Sequence, residues 1–160
     1  MSPERRLAEA GLGLPETLTR LGSYVPGVRV GSTVYVSGQT GTVDGRPVHV
    51  GRVGDDLGLD EARASARLAA CNALAALRAV VGDLEVVLGV ARTTVYVRAP
   101  EDFTEHPRVA DAVTEVLQVA FGDAGRGARS AVGVSSLPQG APVEIDLVVL
   151  VDDEPGEGAR

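Results

Sequence analysis

A chain of 160 residues is long enough for one domain with its own core, and its net charge of −7 lacks the basic footprint of a nucleic-acid binder. All fifteen basic residues are arginine, which removes a lysine Schiff base, a P-loop lysine and a Ser-x-x-Lys nucleophile. One cysteine (Cys71) and two histidines (His49, His106) exclude a disulfide framework and the usual Cys/His zinc site. There is no run of 18 apolar residues and no charged start before an apolar stretch. The expectation is a cytoplasmic protein with no membrane span and no secretory signal.

Residues 3–12, PERRLAEAGL, suit a short helix with Pro3 in the first turn and Leu7 and Ala10 on one face. Residues 28–38 read as two short strands around Gly31-Ser32, the second alternating Val34 and Val36 with Thr33, Tyr35 and Ser37. Residues 40–56, rich in Gly and Asp, read as a loop or poor hairpin turning at Asp44-Gly45. The clearest helix is 60–81, with Asp60 as candidate N-cap and Gly82 after the last turn. Its apolar face is mostly alanine, so it should approach a sheet closely. A β-branched strand follows at 90–98, then a second long helix at 107–121 with Pro107 near its start. Its buried stripe is Val109, Val113, Val116, Leu117 and Ala120. Strands at 129–135 and 142–151 close the domain, and 152–160 is an acidic tail expected to fray.

The order β-β-α-β-α-β-β implies an α+β fold with both helices on one face of a mixed sheet. The other face is then apolar and uncovered, which predicts burial against further copies of the chain.

Four stretches together resemble the RidA/YjgF family of enamine/imine deaminases, also described as endoribonuclease L-PSP-like. They are GSYVPGVRVGSTVYVSGQTG, ARLAACNALAALRAVVGDLEVV with its central Asn72, ARTTVYVRAPEDF, and ARSAVGVSSLPQGAPVEIDLVV. The last, with Ala-Arg-Ser, Leu-Pro and a strand glutamate, is the most specific. The resemblance spans about residues 22–151, leaving 1–21 as an N-terminal extension with its short helix. It implies a chorismate-mutase-like fold and a homotrimer around a central β-barrel, with sites in the clefts between subunits.

The family's chemistry implies roles for particular residues. Arg129 matches its carboxylate-binding arginine, whose planar fork pairs two N–H donors with two carboxylate oxygens. Read without the motif, Arg129 is a structural ion-pair partner of Glu144 or Asp146. Glu144 matches the strand glutamate that positions and activates water; burial would raise its pKa and a nearby Arg129 would lower it. Asp146, on the same face by period 2, is read as a solvated strand carboxylate. Tyr24 matches the tyrosine before the first strand, whose ring would wall the pocket and whose hydroxyl would bond substrate or water; read without the motif, it is an aromatic plug in the core. Ser37 would bond the bound acid or else satisfy nearby backbone. Gly38 would let backbone approach the ligand. Backbone near Ala131 would meet the substrate nitrogen, and Phe103 would line the pocket from a neighbouring subunit or plug the core.

The implied reaction is hydrolysis of a 2-imino acid to a 2-oxo acid and ammonia, with no metal or organic cofactor. Two alternatives stand beside it: a non-catalytic trimer binding small carboxylic acids, and a ribonuclease. The chain departs from the family pattern at Gly133, where deaminating members often carry glutamate, and at Ala131, where Cys or Thr is frequent. With its N-terminal extension it is similar to a longer subgroup.

Overall fold

The computed structural model describes residues 1–19 and 22–152. Helix α1 (Pro3–Glu9) starts from Ser2, whose hydroxyl accepts the Arg5 N–H at 3.3 Å, with Pro3 in the first turn. Strands β1 (Gly27–Val30) and β2 (Thr33–Thr40) form an antiparallel pair. The expected hairpin is present as β3 (Thr42–Val43) and β4 (Arg46–Pro47). Its turn places Asp44 and Gly45 at φ 50° and 76°, the left-handed pair that a tight hairpin of this kind requires. There follow α2 (Leu59–Val81), β5 (Val87–Arg98), α3 (His106–Phe121), β6 (Ala128–Val134) and β7 (Val143–Val151).

The main sheet has the order β1-β2-β7-β5-β6. Every neighbouring pair is antiparallel except β5–β6, which is parallel because α3 carries the chain across between them. The sheet is therefore mixed, and both long helices pack against the same face of it. Val34, Val36, Val95, Val97, Ile145, Leu147 and Val149 point into that side and are buried. On the opposite face the register aligns Val28 with Tyr35 and Val148, and Tyr96 with Val132 and Glu144. Val28, Val30, Tyr35, Val132 and Leu150 are exposed there, so the apolar uncovered face inferred from element order is present.

Two local expectations need correction. Helix α2 is capped at Gly58, not Asp60: the Glu61 carboxylate reaches back to accept the Gly58 N–H at 2.5 Å, which sets the first turn one residue before Asp60. Strand β5 begins at Val87 rather than at 90, because register shifts at Val87/Gly89 and Val90/Arg92 interrupt the alternation that marks a strand in sequence.

The alanine face of α2 does bring it close to the sheet. Ala62, Ala66, Ala69, Ala73 and Leu77 have no exposed surface, and a Cβ at Gly41 would stand 2.6 Å from the Ser65 carbonyl oxygen. By length and composition α2 could cross a membrane, but its apolar side is spent on the core. Within the proposed N-terminal segment 1–21, whose last two residues lie outside the described ones, Leu7 is fully buried. There Arg6 Nε donates to the Val119 and Ala120 carbonyls at the end of α3, at 3.2 and 3.0 Å. The tail expected to fray lies outside the described residues beyond Asp152, whose N–H donates to the Val86 carbonyl at 2.9 Å.

One buried amide joins helix to strand end. Asn72 Nδ2 donates to the carbonyls of Thr40 at 2.9 Å and Thr42 at 3.0 Å, fixing α2 against the end of β2. Replacing Asn72 by alanine strips both acceptors of their donor in a closed interior. We expect Asn72→Ala to lose about 1–3 kcal/mol of unfolding free energy, read as a lower midpoint in urea at unchanged slope.

Candidate functional site

The end of β2 is where the site begins. Between Val36 and Gln39 the pairing with β7 slips: Val36 faces Leu147, but Gln39 already faces Ile145. Ser37 and Gly38 thus bulge opposite Asp146. The bulge brings the backbone of Gly38 under the Glu144 side chain; a Cβ there would lie 2.1 Å from Glu144 Oε1. Glycine is required here for close approach, since Gly38 is not among the positive-φ residues.

Gly38 and Glu144 open into a cavity of about 510 Å³. Tyr24 and Pro26, ahead of β1, line one side of it, and Ala75, Arg78 and Ala79 of α2 line another. Glu144 is half-buried and its pKa is raised, first by loss of hydration and then by the negative charge of Asp146 on the same strand face. Asp146 in turn accepts the Tyr96 hydroxyl at 2.9 Å. The Asp146 charge was not foreseen as an influence on Glu144. Period 2 along β7 already carried the signal: two carboxylates at i and i+2 share a face and repel.

Of the residues singled out in the sequence, Tyr24, Gly38 and Glu144 converge on this cavity. Ser37 lies beside it, but its hydroxyl donates to the Val25 carbonyl at 2.7 Å, tying the bulge to the segment before β1. The remaining three stand elsewhere. Arg129 is opposite Thr93, which is opposite Leu147, a row on the helix-covered face. Glu144 is on the other face. The structural pairing of Arg129 with Glu144 or Asp146 is therefore corrected: Arg129 Nη1 reaches Asp111 Oδ1 at 2.8 Å and Thr114 Oγ1 at 3.2 Å on α3. Both contacts use one nitrogen of the fork.

Ala131 follows on the same side of β6 and packs at the margin of the core. Phe103 is half-buried and meets His106 edge-on at 4.9 Å between ring centres. With Arg52, Arg98 and Gly133 these rings line a second cavity of about 770 Å³. A Cβ at Gly133 would stand 2.8 Å from His106 Nε2, so the imidazole occupies the space a side chain there would need. His106 had no role in the sequence reading, and its position just before Pro107 offered no signal beyond a helix start.

Among the described residues no group of three or more His, Cys, Asp or Glu is placed to hold a metal ion. Cys71 is buried and its thiol is pushed up to about 11 by burial, which leaves it a core residue and not a thiolate nucleophile.

A mixed sheet with two helices on one face, and a cavity lined by a tyrosine and a strand glutamate, make this an α+β protein of defined class. Residues 4–149 match the family described as "YjgF/chorismate_mutase-like, putative endoribonuclease". The chain belongs to this family, the YjgF/RidA proteins. It is 36% identical over 144 residues to Protein TCP17 of Trypanosoma cruzi, covering 89% of this chain and 90% of that one. It is 30% identical over 154 residues to the 2-iminobutanoate/2-iminopropanoate deaminase of Dermatophagoides farinae, covering 95% of this chain and 100% of that one. The crystal structure of Atu1372 from Agrobacterium tumefaciens superposes with a TM-score of 0.87 at 36% identity, over 94% of this chain and 92% of that one.

The raised pKa of Glu144 carries a stability consequence. A carboxyl that holds its proton more tightly when folded costs nothing below the pKa of the unfolded chain. It costs most once pH has risen through the higher folded value. Glu144→Gln, which cannot ionise, should therefore match wild type near pH 4 and melt at a higher temperature than wild type at pH 8. Melting curves across that range check the sign.

Proposed function

We propose that the protein is a hydrolytic deaminase converting reactive 2-imino acids, or their enamine tautomers, to 2-oxo acids and ammonia. The observation that carries this reading is Glu144, lying over the bulged Gly38 at a cavity walled by Tyr24 and holding its proton more tightly than an ordinary glutamate. A carboxylate of raised basicity at a cavity mouth is suited to take a proton from water at near-neutral pH. The name of the Dermatophagoides farinae relative supports the substrate class.

In the proposed step, water held by Glu144 adds its oxygen to the carbon of the C=N bond. The carboxylate receives the water proton and passes it to nitrogen, which takes the bond's electron pair, giving the carbinolamine. In its collapse the hydroxyl gives up its proton to Glu144 and forms C=O, C–N breaks, and the proton is handed to the leaving nitrogen, which departs as ammonia. One water is consumed for each ammonia formed, and Glu144 ends as it began. Imines hydrolyse unaided, so orientation and one well-placed base suffice for the acceleration required.

Arg129 is assigned to the substrate carboxylate, with Ala131 backbone and Phe103 beside it. Arg129 and Ala131 stand on edge strand β6 and Phe103 in the segment between β5 and α3, whereas Gly38 and Glu144, on the paired strands β2 and β7, and Tyr24, just before β1, gather at the β1–β2 side of the sheet. The two sets meet if the β6 edge of one subunit docks beside the β1–β2 side of the next. A head-to-tail contact of this sort closes into a ring. The exposed face bearing Val28, Val30, Tyr35, Val132 and Leu150 would then be covered by the ring's interior, the homotrimeric barrel implied by the family resemblance. Asp111 would share Arg129 with the bound acid, because its ion pair leaves most of the guanidinium fork free of those two contacts.

A second reading, a trimer that binds 2-oxo acids without turning over imines, is favoured by His106 filling the space at Gly133. It keeps Arg129 and makes Glu144 dispensable.

The test generates 2-iminopropionate or 2-iminobutyrate with an amino-acid oxidase and follows imine loss. Wild type should accelerate it, with an acid limb above the ordinary glutamate range because Glu144 must lose its proton to act. Glu144→Gln should lower kcat about 100-fold or more. Arg129→Ala should raise KM by roughly 10-fold or more, the loss of a charge-assisted pair. Full activity in Glu144→Gln would remove the mechanism, and no wild-type acceleration alongside 2-oxo acid binding would establish the second reading.

A further inference from the structure

The cavity at Glu144 is larger than the smallest imino acids need. 2-Iminopropionate has six non-hydrogen atoms; at no more than the roughly 30 Å³ a liquid water molecule occupies, these fill under about 180 Å³. The cavity is about 510 Å³. Besides Glu144 and Gly38 the cavity is lined by Ala75 and Ala79 of α2 and by Pro15 and Leu18 of the segment that follows α1.

Two features of the chain create it. Ala75 and Ala79 of α2 and Gly82 just after it recur at i, i+4 and i+7, so apart from Arg78 this wall of the cavity carries nothing longer than a methyl group. Across from them stand Pro15 and Leu18, with Leu18 half-buried against the core. Arg78, in the middle of the α2 stripe, holds this opposing wall in place. Its Nη2 donates to the Pro15 carbonyl at 2.9 Å and its Nη1 pairs with Glu4 of α1 at 3.2 Å. Its charge is thus met within the chain, and its role is to pin the N-terminal segment. Glu16 and Thr19 also line the cavity.

We propose that Pro15 and Leu18, facing Ala75, Ala79 and Gly82, form a side-chain subsite that selects 2-imino acids with branched-aliphatic or aromatic side chains over 2-iminopropionate. This rests on the reading of Glu144 as the reacting end of the cavity. The subsite is apolar where the two walls face each other and takes the substrate's own side chain, while Glu144 works on the C=N carbon. Discrimination by such pockets amounts to about 10–200-fold for each methylene-sized difference, so a large side chain gives a readable preference.

The experiment compares the imines of alanine, leucine and phenylalanine, generated by an amino-acid oxidase, in wild type and in Ala79→Trp. Ala79 is exposed, so the substitution fills the cavity from its surface without entering the core. Wild type should show kcat/KM at least 10-fold higher for the leucine or phenylalanine imine than for the alanine imine. Ala79→Trp should bring that ratio down by a similar factor. Equal wild-type values for all three, or an unchanged ratio in the variant, would overturn the subsite. If wild type turns over no imine, the deaminase reading fails, and calorimetry with phenylpyruvate and pyruvate decides the subsite by itself. At least 10-fold tighter phenylpyruvate binding that is lost in Ala79→Trp upholds it; equal affinities end it.

Discussion

Alternation along a strand is the constraint on which the molecule's chemistry turns. Side chains on β6 and β7 point up and down the sheet with period 2, and the register sends Arg129 to the helix-covered face and Glu144 to the other. No rotamer change can carry either through the sheet. For Arg129 and Glu144 to act together on one small molecule, as proposed, they would come from two chains, and the fold offers both the β6 edge and the uncovered face for such a meeting. Under the proposed reaction a single protomer would carry half of one site at β1–β2 and half of another at β6.

Within the Glu144 half, backbone geometry sets the chemistry. The bulge at Ser37-Gly38 has its strand end held by Asn72 on α2 and its approach held by the Ser37 hydroxyl on Val25. This leaves Gly38 as the floor beneath a carboxylate that burial and Asp146 both make more basic. Ser37, Gly38 and Asn72 therefore act on the site through the position they give Glu144. Pro15, Glu16, Leu18 and Thr19 of the N-terminal segment line the same cavity, and Arg78 donates to the Pro15 carbonyl.

Much of this was legible in the chain, for physical reasons that differ from element to element. Helices α2 and α3 announced themselves through 3.6-residue periodicity, and the Asp44-Gly45 turn through its need for positive φ. The uncovered face followed from counting two helices against one sheet. Convergence of Tyr24, Gly38 and Glu144 was anticipated by resemblance and is present in the fold. What escaped was set by contacts distant in sequence. Nothing near Arg129 says that Asp111 will lie under it, since that depends on how α3 crosses from β5 to β6. Nothing near Pro15 says that Arg78 will hold it. The cap at Gly58 was missed because the capping group was Glu61, reaching backwards, while Asp60 offered the more familiar residue type.

The claim that two chains complete each site is tested most directly by mixing two defective subunits. Arg129→Ala and Glu144→Gln proteins, each impaired alone at substrate well below KM, are unfolded together in equal amounts, refolded and assayed at that low substrate concentration. In a closed head-to-tail ring each site draws Glu144 from one subunit and Arg129 from its neighbour, so about one quarter of the sites become wild type and about that share of imine-hydrolysing activity returns. Activity that stays at the level of the separate variants, in mixed oligomers verified by mass, would contradict the divided site.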